Sequence, residues 1–227
     1  FALADAMASA NQVADAKALM ERLISQDRDA SRAHFWIAKQ CLMQDASGVK
    51  SVEEARQHLI AAIRADRSNW EAVYAYSLVL MSQGQYEAAA TELRRNTFAD
   101  PIAELEVARL QQRLGLTIDA AMRGKRLAQR LTSPPEGASS IDSVAYLRAA
   151  EAQAISGDLP GALATLESAR FDGSPDPRVT ESIVRTLLVL CQLDDPKHQS
   201  QRQEYLSRAI DIDPQHPEVS IYCAKLL

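Results

Sequence analysis

The sequence predicts an all-α protein, a superhelical array of antiparallel helix hairpins (an α-solenoid), and three observations carry that expectation. Small residues recur at one fixed spacing, i to i+12, in the pairs Ala4 and Ala16, Ser77 and Ala89, Ala108 and Ala120, and Ala150 and Ala162. A second spacing, i to i+22, links Ala16 to Ala38, Ala55 to Ser77, Ala162 to Val184 and Arg202 to Ala224. All nine prolines fall between the proposed helices or in a first turn, where a missing amide donor does least harm. The small residues have a steric reason. Two antiparallel helices, and then neighbouring hairpins, must bring their backbones together, and a bulky side chain at the crossing would hold them apart.

The array starts inside a helix at Phe1, and Ala4 and Ala16 mark the first hairpin. The second, Ser31 to Asn69, carries Ile37 and Ala38 in one helix and Ala55, Leu59 and Ala62 in the other. The step between its markers, Ala38 to Ala55, is longer than the repeating one, so Asp45 to Lys50 is expected to bulge. The third runs from Trp70 through Gly84, Tyr86, Ala89 and Leu93 to Asp100-Pro101, and the fourth follows after a shortened step from Ala89 to Ala108. The widest break is TSPPEGASS, Thr132 to Ser140, read as a surface loop because the pattern resumes beyond it. A fifth hairpin carries Ala150, Gly157, Asp158, Ala162, Leu166 and Ala169. The sixth is stretched between Val184 and Arg202, with an extended turn around Asp194 to Gln199. Leu206, Ala209 and Asp213-Pro214 then lead into a last helix ending at Leu227. Asn96, Gly124, Val184 and Arg202 break the residue pattern, and looser or locally rearranged packing is expected there.

This layout resembles the tetratricopeptide repeat family, whose pattern runs W-x2-L-G-x2-Y, then A-x3-F-x2-A, then P. The resemblance extends over essentially the whole chain, giving one domain over residues 1–227 of about six hairpins, truncated at both ends. It implies first helices on a concave face and second helices on a convex one. Carried over, it places Arg32, Phe35, Lys39 and Met43, then Tyr74, Leu78 and Met81, then Leu105, Arg109 and Arg113 along one partner-binding groove. Such a groove suits an extended or helical peptide bearing acidic groups. Phe35, Tyr74 and Leu78 can equally pack between neighbouring helices. The polar clamp by which some family members hold a chaperone's C-terminal carboxylate is not reproduced, since Phe35 and Tyr74 stand where polar residues would be wanted.

Composition narrows the chemistry. The chain is 47% hydrophobic but only 5% aromatic, which suits thin, closely packed helix pairs. A net charge of −5 gives no reason to expect nucleic acid as a partner, although Arg94, Arg95, Arg109, Arg113, Arg123, Lys125, Arg126 and Arg130 make the middle locally basic, as separate solvated helix faces do. No run of about 18 apolar residues could insert into a membrane. Cys41, Cys191 and Cys223 lie in helical stretches and read as small buried hydrophobes. Lys50 and Ser51 echo a phosphate loop without its leading glycine or strand. Glu54 and His58 share a helix face, but no other histidine or cysteine is placed in sequence to complete a metal site, so the two read as an ion pair. His198 and His216, in predicted loops, lack a metal spacing. The expectation is therefore a scaffold without cofactor, metal or catalytic residues that binds a protein or peptide. The alternatives are a regulatory domain sensing a small ligand, or the targeting module of a larger enzyme.

Overall fold

In a computed structural model, the described residues are 1–44, 49–132, 143–171, 176–192 and 201–226. They form thirteen helices. The chain divides into two compact units, Phe1–Ala103 and Glu104–Leu227.

The first unit contains α1 (Ala2–Ser9), α2 (Val13–Ser25), α3 (Ala30–Gln44), α4 (Val49–Ala65), α5 (Trp70–Ser82) and α6 (Tyr86–Arg95), with the opening turn of α7 (Pro101–Arg113). Consecutive helices pack against each other from α1 through α6. Two of its hairpin turns share one local solution. After α5, Gly84 adopts φ 74° and the Gln85 amide donates back to the Leu80 carbonyl at 2.9 Å, closing the helix end. Between α1 and α2, Asn11 takes the same left-handed conformation at φ 63°, and Gln12 donates to Met7 at 2.8 Å. Asparagine tolerates that region through its short polar side chain, so the turn forms without glycine. A polar tie locks α3, α4 and α5: buried Ser31 donates to the Ala62 carbonyl at 2.8 Å and accepts from Asn69 at 2.9 Å. Asn69 in turn caps α5 by accepting from the Ala72 amide at 3.1 Å.

The second unit contains the rest of α7, then α8 (Thr117–Thr132), α9 (Ser143–Ile155), α10 (Leu159–Phe171), α11 (Pro177–Gln192), α12 (Arg202–Ile212) and α13 (Pro217–Leu226). Its main core joins Ala150, Ala162, Leu166, Ile183, Val184, Leu187, Leu188 and Ala209. Asp176 caps α11: its Oδ1 accepts from the Arg178 amide at 2.9 Å, and Oδ2 accepts from the Ser143 hydroxyl at the start of α9 at 3.2 Å.

The marker residues are buried from Ala4 through Val184, as close backbone crossings require. Ala224 on α13 is exposed and Arg202 on α12 half-buried, so the markers lose that role at the C-terminal end. Three expectations need correction. Lys50 is helical within α4 rather than part of a bulge, because the helix already begins at Val49; residues 45–48 lie outside the described residues. Val184 does not loosen its hairpin, since it is fully buried in the largest core of the unit. Gly124 marks a tight approach rather than a loose one: a Cβ there would stand 2.5 Å from the Ala152 carbonyl oxygen of α9. The 133–140 part of the expected loop and the 194–199 turn lie outside the described residues.

Candidate functional site

The residues predicted to line a groove on α3 and α5 lie in the first unit, and their surroundings differ. Arg32 is exposed, with its guanidinium carbon 4.5 Å from the centre of the Phe1 ring. Phe35 is half-buried and packs on the cluster formed by Ala38, Ala55, Leu59 and Ala72, so its ring serves the helix packing. Lys39 is exposed and Met43 is 68% exposed. On α5, Tyr74 is half-buried and meets Trp70 edge-on at 6.3 Å, Met81 is half-buried, and Leu78 is 39% exposed. In the second unit, Arg113 is exposed at the end of α7, and Leu105 is buried in the core with Leu127 and Ala152.

Arg109 is tied to carboxylates on two helices. It pairs with Glu106 one turn earlier on α7, and it grips Glu151 of α9 with two hydrogen bonds, Nε at 2.5 Å and Nη2 at 2.6 Å. That bidentate fork raises the affinity of the guanidinium for its proton, with the Glu151 bond as the main cause.

Glu151 also borders a cavity of about 370 Å³ within the second unit, formed by α9, α10 and α11. Its apolar wall comes from Leu147, Ala150, Ala154 and Leu166, and its other wall from Ser182, Thr186 and Arg185 of α11. Arg185 is 59% exposed and is held by Glu181 at 2.8 Å and Glu218 at 3.7 Å. The cavity therefore offers an apolar floor between an anion on one helix and a cation on another. The sequence reading stopped at Arg113 and missed it. The signal was available: Lys39, Leu78, Arg109, Glu151 and Arg185 each stand directly after a first-helix marker. Extending the stripe over two further first helices reaches Leu147, Ala154 and Arg185.

The basic middle is less exposed than expected. Arg123 is only 2% exposed, donating from Nη1 to Glu104 at 2.7 Å and from Nε to Gln111 at 3.1 Å, both on α7. It is a structural cation between two helices. Lys125, Arg126 and Arg130 are exposed on α8.

Glu54 and His58 do not form the expected ion pair. Glu54 bonds to Lys17 of α2, which holds its carboxyl below the ordinary range and the Lys17 ammonium above its own. His58 instead faces His34 of α3, Nδ1 to Nδ1 at 2.9 Å with ring centres 5.2 Å apart. Burial lowers the proton affinity of both imidazoles; His34 is lowered further by His58, and His58 by Lys17. The sequence held a clue here as well. His34 precedes Ala38 by about one helical turn and His58 follows Ala55 by about one, steps that come level across an antiparallel hairpin. Beside them, Lys17, Trp36, Cys41 and Glu54 border a smaller cavity of about 110 Å³. Burial pushes the Cys41 thiol up, away from reactivity.

Residues 45–101 match the model of the tetratricopeptide repeat family. No curated protein matches the sequence. Among solved structures, the chain is similar to YrrB, described as a TPR protein with an unusual peptide-binding site, at 16% identity and a TM-score of 0.51, over 91% of this chain and 97% of that one. It is also similar to pilF of Pseudomonas aeruginosa, at 14% identity and a TM-score of 0.47, over 98% of this chain and 94% of that one. At 16% identity the likeness to YrrB is one of fold.

Proposed function

We propose that this chain of tetratricopeptide-repeat fold is a non-catalytic protein-interaction scaffold that seats one apolar side chain of a partner peptide in the cavity between α9 and α11. The observation that carries this reading is the pairing of an apolar floor, Leu147, Ala154 and Leu166, with charged groups of opposite sign, Glu151 and Arg185, on facing helices. An apolar anchor gains by leaving water, and flanking charges fix its direction. Arg185 is the cation on the α11 side of the cavity, so acidic groups on the peptide belong there. Arg109 supports the site through Glu151. Within the first unit, the stripe of Arg32, Phe35, Lys39, Met43, Tyr74, Leu78 and Met81 is a separate surface for a partner, with Met43 and Leu78 as its exposed apolar contacts. A peptide-binding site in YrrB, a protein of the same fold, agrees with this use of the architecture.

The test is a peptide-library selection on the parent and on Ala154→Trp, which fills the cavity, and Arg185→Glu, which inverts its cation. Peptides selected on the parent should share an apolar anchor next to an acidic residue, and should lose binding to both variants while far-UV circular dichroism stays unchanged. Equal binding to the filled variant would overturn the reading.

A further inference from the structure

The contact between His34 and His58 can do more than close a hairpin. In a pair of neutral imidazoles only one proton can lie between two facing Nδ1 atoms, so one lone pair accepts and the other nitrogen donates. If the donor ring changes tautomer, releasing the Nδ1 proton to water and taking one up at Nε2, both rings stay neutral and both Nδ1 lone pairs become available to a divalent transition ion. We propose that His34 and His58 form a two-nitrogen site for an ion of the zinc class, clipping α3 to α4, with water completing the coordination.

The geometry supports it. A tetrahedral zinc ion with bonds of about 2.0–2.1 Å holds two nitrogens roughly 3.3 Å apart. The observed separation of 2.9 Å is therefore short by only ~0.4 Å, an opening that small ring rotations supply. Each ring sits on a helix, and both helices are anchored by buried neighbours: Ala33 and Ile37 flank His34, and Ala55 and Leu59 flank His58. Such positions hold ligands more rigidly than loops do. Both rings are half-buried, so solvent can deliver an ion. Burial also favours neutral imidazole, the form that binds metal. The nearby carboxylate Glu54 is engaged by Lys17, and no group of three metal-binding side chains occurs among the described residues. The site thus offers two protein ligands and open positions, which predicts exchangeable rather than permanent binding.

The test uses the chelator-stripped chain titrated with zinc chloride near neutral pH. Calorimetry should give one equivalent bound, and at free zinc about ten times the dissociation constant the melting temperature should rise by roughly 3–6 °C. His34→Ala and His58→Ala, each checked by circular dichroism, should abolish both responses. A measurement on the parent alone guards against variants that misfold: copper(II) bound at one equivalent should show paramagnetic resonance coupling to two imidazole nitrogens. No binding by the parent, coupling to fewer than two nitrogens, or undiminished binding by a folded double variant would each overturn the proposal. A failure here leaves the peptide cavity untouched, because that cavity lies in the other unit.

Discussion

Two helix pairs, one in each unit, solve the same problem with opposite chemistry. In the first unit α3 and α4 meet through two half-buried imidazoles whose neutral forms share a hydrogen bond. In the second, α7 and α8 meet through a buried guanidinium whose charge is answered by Glu104 and shared with Gln111. The imidazole contact can be lost to water at modest cost, since water replaces the missing partner. The arginine contact cannot, because removing either partner takes the close opposite charge away from a buried ion. Gly124, next in sequence, adds a second demand: Arg123 reaches toward α7 while Gly124 lets the backbone of α9 approach. One turn of α8 thus fixes two neighbours, and the second unit has less tolerance at this point than the first has at its histidines.

The largest break in that comparison should come from Arg123→Met, which removes the counter-charge beside buried Glu104 and should destabilise the chain by about 3–5 kcal/mol in urea unfolding. Combining it with Glu104→Leu should restore most of the loss, as apolar replacement of a whole buried pair does; a double variant no better than the single would show that the pairing is not the source. Gly124→Ala should follow at about 1–3 kcal/mol, because the new Cβ meets a carbonyl oxygen of the neighbouring backbone rather than a side chain that can move. By contrast, His34→Ala should cost about 0.5–1.5 kcal/mol without added metal, the net value of one hydrogen bond. A cost for the histidine equal to that for Arg123 would erase the distinction between the two contacts.

The smallest effect concerns acid. Asp176 has its carboxyl lowered to about 2, mainly by the Arg178 side chain and then by the Arg178 amide. A depressed carboxyl contributes stability above its ordinary value near 3.8, and that contribution disappears as pH falls through about 2. The melting-temperature gap between the parent and Asp176→Asn should therefore be full at pH 5 and close between pH 4 and pH 2. A gap that widened on acidification would reverse the sign of the argument.

The sequence by itself determined the helix hairpins. Small residues at the two recurring spacings, from Ala4 to Ala162, are buried crossing points, and so is the larger Val184. Gly84 and Gly157 mark turns that adopt positive φ. These features are local or periodic, so the backbone geometry of a few residues, repeated along the chain, is enough to write them into composition and spacing. Only the tertiary structure decided what the charged residues do. Arg123 and Arg126 look alike in sequence, yet one is buried against Glu104 and the other exposed, because a side chain's role depends on which face of its helix meets a neighbour. The same is true of His58, whose partner His34 lies on the facing helix rather than one turn away on its own. Helical spacing shows which residues share a face; the partner waiting across the gap depends on a second helix, and on the close approach that alanine and glycine make available.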